Sequence, residues 1–191
     1  MGVFRSHLIG EHNLCNALAD IAIADSLDIP SSVIGQALES FQGIKRRQEV
    51  RGKKRGITVI DDFAHHPTAV EATIKAVKPF YPDGRLIAVF EPRTNTSMRD
   101  VFQSVYTRSF ETADLICVRH PPMLEKIPPD QRFSSAQLVK DLQQAGRDAH
   151  YFTDTDGIIE FLLKTARSGD VILIMSNGGF DNIHQRLLEA L

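Results

Sequence analysis

From about Ile44 onward, short apolar runs alternate with longer stretches of helical spacing, and this alternation leaves few folds open. The segments Gln48–Arg51, Ile57–Ile60, Arg85–Phe90, Leu115–Val118, His150–Phe152 and Val171–Met175 read as strands. Between and after them, Thr68–Val77, Met98–Phe110, Ser135–Ala145, Gly157–Thr165 and Ile183–Ala190 read as helices. Strands alternating with helices imply parallel pairing and right-handed crossovers. The expected fold class is therefore α/β, a doubly wound, mostly parallel six-stranded sheet with helices on both faces. The first strand has no helix of this domain before it and only the turn Gly52–Gly56 after it, so antiparallel pairing at an edge is open to it. Pro121–Pro129 (PPMLEKIPP) reads as a loop, since each proline removes a backbone donor and restricts the residue before it.

Residues 1–43 do not fit that alternation. Met1–Ile9 has no complete element, Asn13–Leu27 has apolar residues at helical spacing, and a second helix is expected from Ser31 or Ser32, as N-cap, to Phe41. Two helices alone cannot bury both apolar faces. The segment reads as the end of a preceding domain, with the sheet domain running over residues 44–191.

Composition narrows the function. With 191 residues, 42% of them hydrophobic and 24% charged, the chain can bury one good core plus a small appendage. The net charge of −2, with basic clusters only at Lys45–Arg47 and Arg51–Arg55, gives nucleic-acid binding little electrostatic support. Cys15 and Cys117 match no zinc spacing and suit buried thiols in a reducing cytosol. No apolar run approaches the about 18 residues of a membrane span and no signal peptide is visible, so a soluble, cytoplasmic protein without membrane contact is expected.

Chemistry concentrates where apolar runs end. The stretch ITVIDDFAHHPT, Ile57–Thr68, switches from a buried-strand signal to two acids, an aromatic and two histidines, and Pro67 suits the first turn of the next helix. Glu91-Pro92-Arg93-Thr94-Asn95-Thr96, Arg119-His120-Pro121-Pro122 and Ser176-Asn177-Gly178-Gly179-Phe180 occupy equivalent positions. In a parallel sheet these four ends converge on the carboxyl edge, where ligands bind. Taken singly each has an ordinary reading, as a helix cap, a turn glycine or a solvated charge. The acid and histidine cluster admits a metal, but adjacent histidines diverge and no further spaced ligand appears, so no metal ligands are assigned. There is no GxSxG, no GxxxxGK[ST] and no GxGxxG, so any nucleotide phosphates must be cradled by another domain.

Three segments, Gly10-Glu11-His12-Asn13-Leu14-Cys15-Asn16-Ala17, Phe41-Gln42-Gly43-Ile44-Lys45-Arg46-Arg47-Gln48-Glu49 and Asp61–Thr68, resemble in order and spacing the second half of the Mur ligases. These ATP-dependent enzymes build the peptide stem of peptidoglycan. Val89–Thr96, Met175–Phe180 and Ile183-His184-Gln185 are similar to the branch that reattaches recycled tripeptide. The resemblance covers nearly the whole chain. It implies a Rossmann-like C-terminal domain preceded by a two-helix remnant of the central ATPase domain, so that this chain is a truncation lacking the N-terminal and central domains.

The resemblance further implies that His12, Asn13 and Asn16 hold the adenine region, Arg47 contacts nucleotide and Asp62 holds the ribose. His66 and Arg93 match positions that face the incoming amino substrate in the alanine-adding relative, and His66 is the one candidate for a catalytic role. Asn95, Arg119, Ser176 and Asn177 are expected to add donors for the tripeptide L-Ala-γ-D-Glu-meso-diaminopimelate, which carries more carboxylates than alanine. In the alternative for Arg93, its guanidinium pairs with Glu91 or Asp62 and shapes the loop. The implied reaction transfers the ATP γ-phosphoryl group to the UDP-N-acetylmuramate carboxylate, and the tripeptide amine then attacks the acyl phosphate. Catalysis rests on positioning and on charge neutralisation by Mg and cationic groups, the metal being held mainly by the missing central domain. The alternatives are the alanine-adding ligase and a stand-alone module that binds a nucleotide or acidic peptide without turnover. The isolated chain is expected to be inactive.

Overall fold

Arg55 (φ 52°) and Gly56 (φ 79°) form a two-residue turn that joins strand β1, Glu49–Lys54, to strand β2, Ile57–Asp62. Two consecutive positive φ values match the right-handed twist of a tight hairpin, and β1 accordingly pairs with β2 antiparallel. Glycine is required at position 56 twice over, since a Cβ there would also lie 2.2 Å from Ser168 Oγ. The remaining strands, β3 (Leu86–Phe90), β4 (Leu115–Arg119), β5 (Ala149–Phe152) and β6 (Val171–Met175), pair parallel. The order is β1-β2-β6-β3-β4-β5. Strand β6 returns from the far edge and inserts between β2 and β3, which makes the sheet doubly wound and mostly parallel, with its antiparallel strand at an edge as the short turn after it allows.

The computed structural model describes residues 2–191, and the chain divides into two units, Met1–Lys45 and Arg46–Leu191. In the first, helix α1 spans Glu11–Ser26 and α2 spans Ser31–Ser40. Neither Ser31 nor Ser32 is the N-cap of α2. That place falls to Pro30, whose extended backbone (φ −58°, ψ 136°) lets the helix start one residue earlier without a side-chain cap. Helix α1 buries none of its residues, and Cys15 is exposed rather than buried.

In the second unit, α3 (Pro67–Val77), α4 (Tyr106–Ser109), α5 (Ser135–Gln144), α6 (Thr155–Thr165) and α7 (Ile183–Ala190) flank the sheet. The expected helix Met98–Phe110 is broken. A 3-10 turn at Asp100–Phe102 and the four-residue α4 replace it, because the Met98 carbonyl accepts from the Phe133 N–H at 2.9 Å and the Gln103 side chain exchanges two bonds with the Ser134 backbone, both outside a continuous helix. The PPMLEKIPP loop carries 3-10 turns at Leu124–Lys126 and Pro129–Gln131. On one face of the sheet, Ile57, Val59, Ile87, Val89, Leu115, Cys117, Ile172 and Ile174 pack with Ile158 and Leu162 of α6 and Ile183 and Leu187 of α7. On the other, Phe90 meets Tyr106 and Phe110 at ring distances of 5.2 and 5.7 Å. Among the described residues no helix is long and apolar enough to cross a membrane.

Candidate functional site

Register aligns the four chemical strand ends. Asp62 and Phe90 both sit opposite Met175, and Phe90 sits opposite Val118, so the chain leaves β2, β6, β3 and β4 on one level. Side chains alternate between faces along a strand. Continuing the alternation by a step puts Asp61, Glu91, Arg119 and Ser176 on the α6/α7 side and Asp62 on the α3 side, which matches the observed partners.

Glu91 is the centre of the first group. It is fully buried, and its carboxylate accepts from Ser176 Oγ at 2.7 Å and from a tightly held Arg119 Nη1, while Arg93 Nη1 stands 3.7 Å from Oε1. Its backbone N–H donates to the Met175 carbonyl at 3.1 Å. A buried carboxylate is stable only when its lone pairs are met, and three side chains meet these. Arg119 spends its other terminal nitrogen on Asp181 Oδ2 at 2.7 Å and lies over the Phe180 ring. Both terminal nitrogens of Arg119 are thus taken by carboxylates, while its Nε is buried without a partner, whereas Arg93 is half-buried and only loosely paired. Of the expected tripeptide donors, Arg93 is the guanidinium left free to take up a carboxylate, although the Glu91 contact of the alternative reading is present. A Cβ on Gly178 would lie 2.1 Å from Arg93 Cδ, so the absence of a side chain at 178 makes room for Arg93. Asn177 Oδ1 is buried without a hydrogen-bond partner.

Asp62 lies on the opposite face. It is 2% exposed, and the backbone N–H groups of Ala64 and Gln48 donate to its carboxylate at 2.7 and 2.9 Å, with Thr73 Oγ1 at 3.4 Å. Burial is the largest influence on this carboxyl and pushes it above its ordinary value despite those donors and the nearby Arg47. In this conformation Asp62 fastens the loop that follows β2, and its oxygens do not face outward toward a ribose. Asp61 behaves oppositely. Burial pushes it up, but His184, Arg46 and Arg51 outweigh that and hold it below the ordinary aspartate value. His184 Nε2 stands 3.3 Å from Asp61 Oδ1 without the alignment of a hydrogen bond.

His66 is the N-cap of α3, accepting from the Thr68 N–H through Nδ1 at 3.3 Å, and its ring meets Phe102 edge-on at 4.6 Å. It is exposed at the same sheet edge. The preceding His65 carbonyl accepts from the Tyr106 hydroxyl at 2.5 Å, and burial pushes that phenol well up. Burial likewise pushes the Cys117 thiol far up, which removes it as a nucleophile. Asn95 is exposed and accepts from Arg99 Nε at 3.2 Å. Arg47 is exposed as well.

His12, Asn13 and Asn16 belong to the first unit, where their spacing puts them on one face of the first turns of α1. Asn13 Nδ2 donates to the Ile9 carbonyl at 2.7 Å. His12 and Asn16 are exposed. Among the described residues no group of three or more His, Cys, Asp or Glu side chains could hold a metal ion.

Sequence reasoning missed Glu91 as the organising charge, Asp181 as its counterpart across Arg119, and Arg46. The signal for Glu91 was present: an acid directly after the wholly apolar Leu86–Phe90, in phase with Ile87 and Val89, is bound to be buried and paired. Arg46 was hidden in a basic run that resembles a solvated surface.

The Mur ligase, glutamate ligase domain family model matches residues 46–178. A UDP-N-acetylmuramate–L-alanyl-γ-D-glutamyl-meso-2,6-diaminoheptandioate ligase from Escherichia coli is 38% identical over 100% of this chain and 40% of its own length. A UDP-N-acetylmuramate–L-alanine ligase from Desulforapulum autotrophicum is 36% identical over 100% of this chain and 42% of its own length. Among solved structures, a murein peptide ligase from Psychrobacter arcticus superposes with a TM-score of 0.73 and 38% identity, covering 98% of this chain and 38% of that one. The chain spans about two-fifths of the length of the curated relatives it matches.

Proposed function

The chain belongs to the Mur ligase family, and from that premise we propose that it is the C-terminal part of an ATP-dependent ligase joining UDP-N-acetylmuramate to L-Ala-γ-D-Glu-meso-diaminopimelate in peptidoglycan recycling. Residues 1–43 are then the end of the central ATP-binding domain and residues 44–191 the C-terminal domain. The observation that supports an amino substrate bearing a carboxylate is Arg93, held at the carboxyl edge by Gly178 and Glu91 yet loosely paired, beside an Arg119 that carboxylates of the chain itself already occupy, and the tripeptide is preferred to alanine on the 38% identity to the Escherichia coli ligase.

ATP, when bound, supplies the phosphoryl group that activates the sugar carboxylate; the first unit offers it the exposed His12 and Asn16, with Asn13 on the same helix face, and the second unit offers the exposed Arg47. The chain's own contribution to the peptide is positional. Arg93 clamps a tripeptide carboxylate, the side chain of Asn177 receives an N–H, and the exposed imidazole of His66 meets the attacking amine. Glu91 and Ser176 hold the cationic site in place, and Arg119 acts through Glu91 rather than on the peptide.

The 36% identity to an alanine ligase supports a second reading, in which alanine is the amino substrate. Full-length enzyme assayed with ATP, UDP-N-acetylmuramate and either amino substrate separates them. The tripeptide is expected to give the higher kcat/KM by at least about tenfold. A preference for alanine would sink the recycling assignment, and turnover by the 191-residue chain alone would sink the assignment to a partial site.

A further inference from the structure

Arg46 is the first residue of the sheet unit, and its side chain does not point to solvent as its basic neighbours suggest. Arg46 Nη2 donates to the carbonyls of Ser176 and Gly178 at 2.6 and 2.7 Å. The guanidinium lies 5.1 Å above the Phe63 ring, and Nε stands 3.5 Å from Asp61 Oδ2. Its backbone is engaged as fully. The N–H donates to Glu49 Oε2 at 2.8 Å, the carbonyl accepts from the Phe63 N–H at 2.8 Å, and the residue sits in the left-handed region at φ 59°. A non-glycine residue keeps such a conformation only where its surroundings over-determine it. One residue therefore fastens the start of the unit to both site-bearing loops, the one after β2 and the one after β6.

The second of those loops runs through backbone that non-glycine residues rarely adopt. Phe180, Asp181 and Asn182 are three consecutive non-glycine residues with positive φ (44°, 48° and 55°), and two glycines precede them. Gly178 carries the carbonyl that Arg46 grips, and the open face of its Cα receives the Arg93 side chain. Thus a contiguous path of contacts runs from Arg46 through Gly178 to Arg93.

We infer that Arg46 is a positioning residue: through the Ser176 and Gly178 carbonyls it sets the β6–α7 loop, and through Gly178 it sets the place of Arg93 for an acidic amino substrate. The inference rests on the proposed function for the identity of that substrate and on the geometry alone for the tether. It also means that a backbone change at residues 44–46 is felt at the peptide site, because the side chain that would transmit it begins there.

Arg46→Met keeps the aliphatic stem and removes every donor. In the 191-residue chain, amide hydrogen exchange at Ser176, Gly178 and Asn182, whose N–H groups donate to the Asp62 carbonyl, Ser176 Oγ and the Gly179 carbonyl, is expected to quicken at least about tenfold, while exchange in β3 and within Val171–Met175 stays at the wild-type rate. Unchanged exchange at those three amides overturns the tether. In the full-length enzyme the same substitution is expected to raise the tripeptide KM about tenfold with the KM for UDP-N-acetylmuramate unchanged, and equal rises in both overturn the positioning role. If the wild type uses alanine instead, the recycling assignment falls, and the Arg46 effect is read on the alanine KM with the same two outcomes. Should Arg46→Met fail to fold, Arg46→Lys, which keeps a donor for the carbonyls and loses the Nε contact to Asp61, carries both readouts with smaller shifts.

Discussion

The two units of this chain differ most in what their apolar residues touch. In Arg46–Leu191, β3 and β6 are buried along their whole length, and helices close over both faces. In Met1–Lys45, only Ile34 is buried within the two helices, while Leu18 and Leu27 are 65% and 67% exposed. Helical spacing is present in both. The difference teaches that periodicity specifies an element, whereas stability comes from the surface that element finds to cover. The sheet unit should therefore carry nearly all the folding free energy of the isolated chain, and the helical unit should open independently of it.

The largest expected effect sharpens that contrast. Phe90→Ala removes a fully buried ring packed on Tyr106 and Phe110 and should destabilise the sheet unit by roughly 3–5 kcal/mol in denaturant titrations. Loss of less than about 1 kcal/mol would mean the face beneath α4 is already loose.

Glu91→Gln comes next. It keeps the shape and removes the charge that Arg119, Arg93 and Ser176 surround, at an expected cost of about 1.5–3 kcal/mol. The tripeptide KM of the full-length enzyme should rise in parallel, since Arg93 loses its anchor. A stability loss with unchanged KM would confine Glu91 to folding.

Smaller still is the acid response of the sheet unit. Burial pushes Asp170 up, but Arg85 and the Arg167 N–H outweigh it and hold the carboxyl below its ordinary value of 3.8. A depressed aspartate binds its proton more weakly folded than unfolded, so its stabilisation is present above about pH 3.8 and is lost as pH falls through the lower folded value. Asp170→Asn should lower the melting temperature at neutral pH and flatten the decline below pH 3.8. An unchanged slope would place the acid sensitivity in other groups, Asp61 being the first to examine.

The smallest effect breaks or keeps the comparison itself. Leu18→Ala should cost no more than about 0.5 kcal/mol in the isolated chain because its side chain meets mostly solvent. In the full-length protein the cost should exceed about 1 kcal/mol, if residues 1–43 are the end of a domain whose remainder covers that face. Equal costs in both would remove that assignment.

Much of this protein was legible from its residues alone. The apolar runs and their helical spacers determined a mostly parallel sheet and left antiparallel pairing at an edge open to its first strand, because strands alternating with helices bury both kinds of face that way. Pro67 and the polar switch at Asp61 located a strand-to-helix loop, and four such switches located the one sheet edge where the polar strand ends converge. Met98–Phe110 was misread as one helix because its pattern is helical while the bonds of the Met98 carbonyl to Phe133 and of Gln103 to Ser134, which interrupt it, are not encoded in periodicity.

Partnerships at the site were decided by tertiary structure. Asp61 and Asp62 are neighbours with the same side chain, yet one carboxyl is held below its ordinary value and the other above it, because alternate residues of a strand face different layers with different charges. Arg93 and Arg119 are the same residue type at two strand ends, and only the three-dimensional arrangement of Glu91 and Asp181 leaves the first available and the second consumed. Sequence sets which side chains reach the edge; the pairing of charges there depends on distances of a few ångströms between strands remote in the chain, which no local pattern records.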